Sequence, residues 1–155
     1  GNNSGNNGSN PNGNSGSDYS VTSSTYKIGT YVTGIQPKTA SSTVLGGIQA
    51  SGCTVQILMA DGSENTGNVG TGNKLAVYVN GTLTKTYDIV IYGDVNGDGS
   101  VSIADFARLN RYLLHIVNLN GAYLEAADAN RDGKVSIADF ARIDRTLLGR
   151  ATITQ

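Results

Sequence analysis

The sequence predicts a mixed fold of two parts: a small immunoglobulin-like β-sandwich, then a short α-helical unit built from two loop–helix repeats. Three observations carry this. Residues 54–91 hold β-rich runs punctuated by Asp-Gly and Asn-Gly pairs. Residues 94–114 and 128–148 are one segment written twice at an offset of 34, with 15 of 21 positions identical. Charge is uneven: 15 of the 23 Asp, Glu, Lys and Arg residues fall between Gly93 and Gln155. The two parts therefore do different physical work.

Residues 1–17 contain only Gly, Asn, Ser and one Pro. Nothing there can be buried to offset the entropy of ordering the chain. A flexible linker over residues 1–18 is predicted, and a linker implies a further module upstream. The start is Gly and Asn rather than a charged residue and an apolar run, so no signal peptide is expected within it.

The β part is assigned to residues 19–92. Thr54–Met59 runs into an Asp61-Gly62 turn, and Leu75–Val79 is followed by Asn80-Gly81 and then Thr82–Ile91. Asn-Gly between β-rich runs is a strong hairpin signal, because both residues tolerate the positive φ of a type I′ turn. Asp61 and Glu64 read as solvated turn residues. Cys53 is the only cysteine, so it has no partner for a disulfide within the chain. It reads as a small buried apolar residue. The only histidine, His115, lies in the other part, so no nucleophile–base pair is visible and no enzyme is expected.

The helical unit is assigned to residues 93–155, with repeats at 94–116 and 128–149. After each loop a helix is predicted. Phe106, Leu109, Leu113 and Ile116 form one apolar stripe, and Phe140, Ile143 and Leu147 form its counterpart. Neither helix can bury its stripe alone, so the two are expected to pack together.

The loops carry the chemistry. The first runs from Asp94 to Asp105 and the second from Asp128 to Asp139. Oxygen side chains stand at positions 1, 3, 5 and 12: Asp94, Asn96, Asp98 and Asp105, then Asp128, Asn130, Asp132 and Asp139. Glycine stands at position 6, where the chain must turn sharply. This is the ligand spacing of the twelve-residue EF-hand loop. Calcium is a hard cation that takes about six to eight oxygens, and alternate residues of a tight loop aim oxygens to one side. Ser100 and Lys134 at position 7 are expected to contribute backbone carbonyls, which explains why Ser and Lys exchange there. Ser102 and Ser136 at position 9 can hold a water. Position 12 is Asp rather than the usual Glu, so the shorter arm must either draw the helix closer or accept looser closure. Two Ca²⁺ ions are predicted, each facing three carboxylates.

A second helix face is also repeated. Ile103, Ala104, Ala107, Arg108 and Arg111 lie away from the first stripe, and Ile137, Ala138, Ala141, Arg142 and Arg145 repeat them. Small and apolar residues beside arginines suit a protein contact. The formal net charge of −1 gives no reason to expect nucleic acid or an anionic membrane as partner. No run approaches the ~18–20 apolar residues of a membrane span, so no membrane insertion is expected.

Loop-then-helix duplicates containing "GDVNGDG" and "ADANRDGKVSIADF" resemble dockerins of the type I kind, over about residues 93–150. The resemblance implies a calcium-dependent docking module that binds a cohesin on a scaffoldin. It would attach a secreted, polysaccharide-degrading parent protein to an extracellular cellulosome-like complex. In that family, loop positions 10 and 11 and residues six to seven places later help choose the cohesin. Here those are Ile103 and Ala104 with Asn110 and Arg111, and Ile137 and Ala138 with Asp144 and Arg145. Ile-Ala replaces the Ser-Thr pair of one dockerin group, which implies a more apolar contact. The near-identity of the two faces implies binding in either of two orientations.

The β part, through "YKIGTYVTGI", "GTGNKLAVYV" and its direct run into "YGDVNGDG", resembles the X modules that precede some dockerins. With no linker between Ile91 and Asp94, one rigid unit is expected. Two other readings stay open at this level. One is an EF-hand-like calcium sensor or buffer, against which stand the single Met and the expected lack of entering helices. The other is a carbohydrate-binding β-module, against which stand the absence of Trp and the scattered Tyr residues.

Overall fold

The computed structural model describes residues 18–155. The predicted linker lies outside the described residues, apart from Asp18. Two β-sheets come first. Strands β2 (Lys27–Ile28), β3 (Tyr31–Thr33), β7 (Thr82–Ile89), β6 (Lys74–Val79) and β5 (Thr54–Leu58) form a five-stranded sheet in that spatial order. Strands β1 (Ser20–Thr22) and β4 (Gln49–Ser51) form a two-stranded sheet. All pairs are antiparallel except β3 with β7.

The Asn80-Gly81 pair makes the expected hairpin between β6 and β7, with φ of 52° and 78°. Both values are those a type I′ turn demands. Asp61 sits exposed in its turn and accepts hydrogen bonds from the N–H and hydroxyl of Ser63. Both sheets share one core, in which Val21 of β1 packs with Val32, Ile57, Leu75, Val77 and Ile89 of the larger sheet. A short helix, α1 (Ser41–Gly46), buries Val44 in the same core. Its six residues are too few to leave a periodic signal in the sequence. Cys53 corrects an expectation: it is half-buried at the edge of this core rather than buried within it.

Helices α2 (Ile103–Leu113) and α4 (Ile137–Leu147) follow the two loops. Their start is written locally. Ser102 and Ser136 are extended N-cap residues whose hydroxyls accept from the N–H of Ala104 and Ala138. The carboxylates of Asp105 and Asp139 accept from the N–H of those same serines, completing capping boxes. The two helices pack together as expected. The Phe106 and Phe140 rings meet with centroids 4.0 Å apart, while Leu109 and Ile143 are fully buried.

Two stripe members fall outside the pattern. α2 ends before Ile116, which is 59% exposed, and Leu147 lies 36% exposed in the last turn of α4. A further helix, α3 (Gly121–Ala127), directly precedes the second loop. The expectation that both loops lack an entering helix therefore holds only for the first, which is entered from β7.

The two parts meet over a third cluster. Val90 and Tyr92 pack on Ala122 and Ala126 of α3, with Tyr31 of β3 and Ile153 alongside. Tyr92 donates its hydroxyl proton to Glu125 at 2.8 Å, and the Arg131 guanidinium lies 4.8 Å from its ring centre. The C-terminal segment crosses the helical unit to reach the same place.

Candidate functional site

Each loop is held by its own backbone amides. Asp94 at position 1 accepts from Gly97 and Asp98 on one oxygen and from Gly99 on the other. Asp128 accepts from Asp132 and Gly133 in the same way. At position 12, Asp105 and Asp139 each use one oxygen for the helix cap and the other for the N–H of position 3, Asn96 or Asn130. The shorter Asp side chain thus serves both helix and loop. Positions 3 and 5 are linked by Asn96 to Asp98 at 3.0 Å and Asn130 to Asp132 at 3.1 Å. Ser100 donates both its N–H and its hydroxyl to Asp98, and the Lys134 N–H donates to Asp132. Ser102 and Ser136, expected as water holders, are engaged as helix caps.

The first loop is the more compact. One carboxylate oxygen each from Asp94, Asp98 and Asp105 lie within 4.8 Å of one another. Among the described residues no second group of three metal-ligating side chains closes to that distance. Asp94, Asp105 and Asp139 are fully buried, and Asp128 nearly so.

Burial has an electrostatic cost. It pushes Asp94 up to about 6, partly countered by the N–H groups of Thr71 and Gly99. It also raises Asp105 and Asp139, against the N–H donors of Asn96 and Ser102, and of Asn130 and Ser136. Asp98 is lowered: slight burial pulls it up, but the donors on Asn96 and Ser100 together outweigh that. Gathered, desolvated carboxylates repel one another and gain by facing a hard divalent cation. The donor set is all oxygen, so it fits calcium.

The repeated outer face is exposed. Ile103 is 68% and Ile137 70% exposed. Ala104, Ala107, Arg108, Asn110 and Arg111 are exposed beside the first, as are Ala138, Arg142 and Arg145 beside the second. The match is incomplete, because Ala141 and Asp144 are half-buried where Ala107 and Asn110 are open. Arg142 also donates to the carbonyl of Thr152 at 3.2 Å. The C-terminal segment therefore occupies part of the second face only.

The β part offers no strip of exposed aromatic residues. Tyr19, Tyr26 and Tyr87 pack in its core, and Tyr31 and Tyr92 in the seam with α3. Sequence reasoning missed the donors that the β part supplies to the first loop. Thr71, in the segment between β5 and β6, donates its N–H to Asp94 at 2.9 Å. Nothing in the spacing of residues 94–105 signals a donor 23 positions upstream.

Residues 92–148 match the family model described as the dockerin type I domain. A chain of the solved complex between the third cohesin ScaC and the ScaB dockerin of Acetivibrio cellulolyticus is also similar. It shares 31% identity, covering 42% of this chain and 92% of that one, at a TM-score of 0.40. No curated protein matches the chain.

Proposed function

The C-terminal part of the chain belongs to the dockerin type I family, and from that premise we propose that the protein is a calcium-dependent docking module whose partner is a cohesin of a scaffoldin. The observation that carries this is the pair of helices α2 and α4. Each turns its apolar side to the other and leaves an Ile-Ala face flanked by arginines in solvent. The first ion would be held by Asp94, Asn96, Asp98, Asp105 and the carbonyl of Ser100. The second would be held by Asp128, Asn130, Asp132, Asp139 and the carbonyl of Lys134. Bound calcium offsets two of the three carboxylate charges gathered in each loop. Asp105 and Asp139, which also cap the helices, then fix where each outer face stands.

We assign residues 1–18 to a linker, 19–92 to an X-like β module and 93–155 to the dockerin. On this reading the module works outside the cell, and any catalysis belongs to a module joined to it. No helix of the described residues is long and apolar enough to cross a membrane. The test is binding of the chain to a panel of purified cohesins. At least one should be retained with calcium, released by EDTA and recovered when calcium is restored. Retention that ignores EDTA, or no retention at all, sinks the reading.

The sensor alternative gains little support. The sole methionine, Met59, lies in the β part at the end of β5, not between α2 and α4. The inner faces of those helices are already packed on each other through Phe106 and Phe140.

A further inference from the structure

The two loops have nearly the same sequence but different neighbours. The second is open at its position-6 glycine, since a Cβ built on Gly133 meets nothing within 4 Å. The first is covered by the β part. A Cβ on Gly99 would stand 2.6 Å from the carbonyl oxygen of Val69, and one on Gly97 would stand 2.6 Å from that of Thr71. From the other side, a Cβ on Gly70 would stand 2.2 Å from the Gly97 oxygen. Backbone therefore lies against backbone, with no room for a side chain.

Two hydrogen bonds cross this contact. Thr71 gives its N–H to Asp94 at 2.9 Å, and Lys38 gives its N–H to the Gly99 carbonyl at 2.7 Å. Thr71 is itself fixed, because its hydroxyl accepts from the Ile91 N–H and donates to the Ile91 carbonyl. Position 4 records the same contact in sequence. It is Gly97 in the covered loop and Arg131 in the open one, at φ of 83° and 61°. Both need the left-handed region, yet only the open loop has space for a side chain.

We propose that the β part sets the strength of the first calcium loop, so that this ion is held more tightly than the second. This rests on the calcium reading above. Thr71 is a positioning residue: it holds the position-1 carboxylate in place before an ion arrives. Loop ordering that is already complete no longer subtracts from binding. Excluding water from one side also strengthens the attraction between carboxylate and cation. The tighter grouping of Asp94, Asp98 and Asp105 is what such clamping produces.

The test uses the full chain, calcium alone and a competing chelator, read at the amide signals of Gly99 and Gly133. In the unaltered protein Gly133 should lose its calcium-loaded signal first, with the two apparent affinities at least about tenfold apart. Gly70→Ala should weaken the Gly99 response by about tenfold or more and leave Gly133 within about twofold. Gly46→Ala, whose Cβ meets nothing within 4 Å, is the control and should change neither. Loops that empty together in the unaltered protein overturn the proposal, as does a Gly70→Ala chain in which both or neither loop weakens. If Gly70→Ala does not fold, the unaltered protein alone decides. Should neither amide respond to calcium, the calcium assignment itself fails and carries this proposal with it. A response that is equal at both defeats the coupling only.

Discussion

The side-chain amide of Gln155 holds both backbone groups of Tyr92, accepting from its N–H at 2.7 Å and donating to its carbonyl at 3.0 Å. The last residue of the helical unit thereby closes onto the residue where the β part ends and that unit begins. Ile153 fills the space between, against Gly93 and Val101. Gln155→Ala would leave two buried backbone groups unpaired. The expected loss is about 1–3 kcal/mol, measured by urea unfolding of the calcium-loaded chain. A loss within error of zero would mean that water replaces the amide at no cost.

Phe106 and Phe140 hold the two repeats together. Truncating either to Ala should destabilise the helical unit by up to about 3 kcal/mol, below the range for fully buried aromatics because both rings are half-buried. Their effects should be non-additive, since each ring packs on the other. A double-mutant cycle by thermal unfolding measures the coupling.

Chelation should lower the melting temperature of residues 93–150 more than that of the β core. At neutral pH, where they are charged, the acids gathered in the loops favour the folded state only when a cation faces them. Calorimetry with and without EDTA checks this, and an unchanged melt would contradict the coupling of metal to order.

In the metal-free chain, acid should stabilise before it destabilises. Asp94 lies at about 6 in the fold, above its ordinary value, and burial is the main cause. An acid raised on folding favours the fold fully while protonated, below its unfolded value near 4. That contribution is lost as pH rises through about 6. Its loss by pH 7 is on the order of 3 kcal/mol for Asp94. Asp105 and Asp139 are shifted in the same direction. Asp61 and Asp98 are lowered and oppose this only below their unfolded values. Melts in EDTA should therefore rise between pH 7 and about pH 5. Calcium should reverse that slope, since protons then compete with the ion.

Charged substitutions on the outer face test the two orientations. Ile103→Glu with Ala104→Asp, or Ile137→Glu with Ala138→Asp, should each weaken cohesin binding less than about fivefold if both faces serve. Together they should abolish it. Loss from one pair alone would assign binding to that face. The second face would be the weaker candidate, because Arg142 is already tied to Thr152.

What could be read without the fold was whatever depends on near neighbours. The Asn80-Gly81 hairpin needs two adjacent residues that accept positive φ. The loops need oxygens at fixed offsets, and α2 and α4 need a cap three residues ahead of an acid. The paired stripes followed from period alone, although period could not say where each helix ends. Ile116 continues the spacing but lies beyond the last turn of α2. α3 was missed because Gly121–Ala127 is short and opens on glycine, a poor helix former.

The sequence alone determined two acid-lined loops, each feeding a capped helix with one apolar and one Ile-Ala/Arg face, because those features are set within about a dozen residues of chain. The tertiary structure decided that the two copies are unequal. Thr71 reaches Asp94 across 23 residues, and Gln155 reaches Tyr92 across 63. Neither contact leaves a local pattern, since each rests on backbone groups that every residue but proline carries. Only the packing of the β part and of the C-terminal segment selects which of those groups meet.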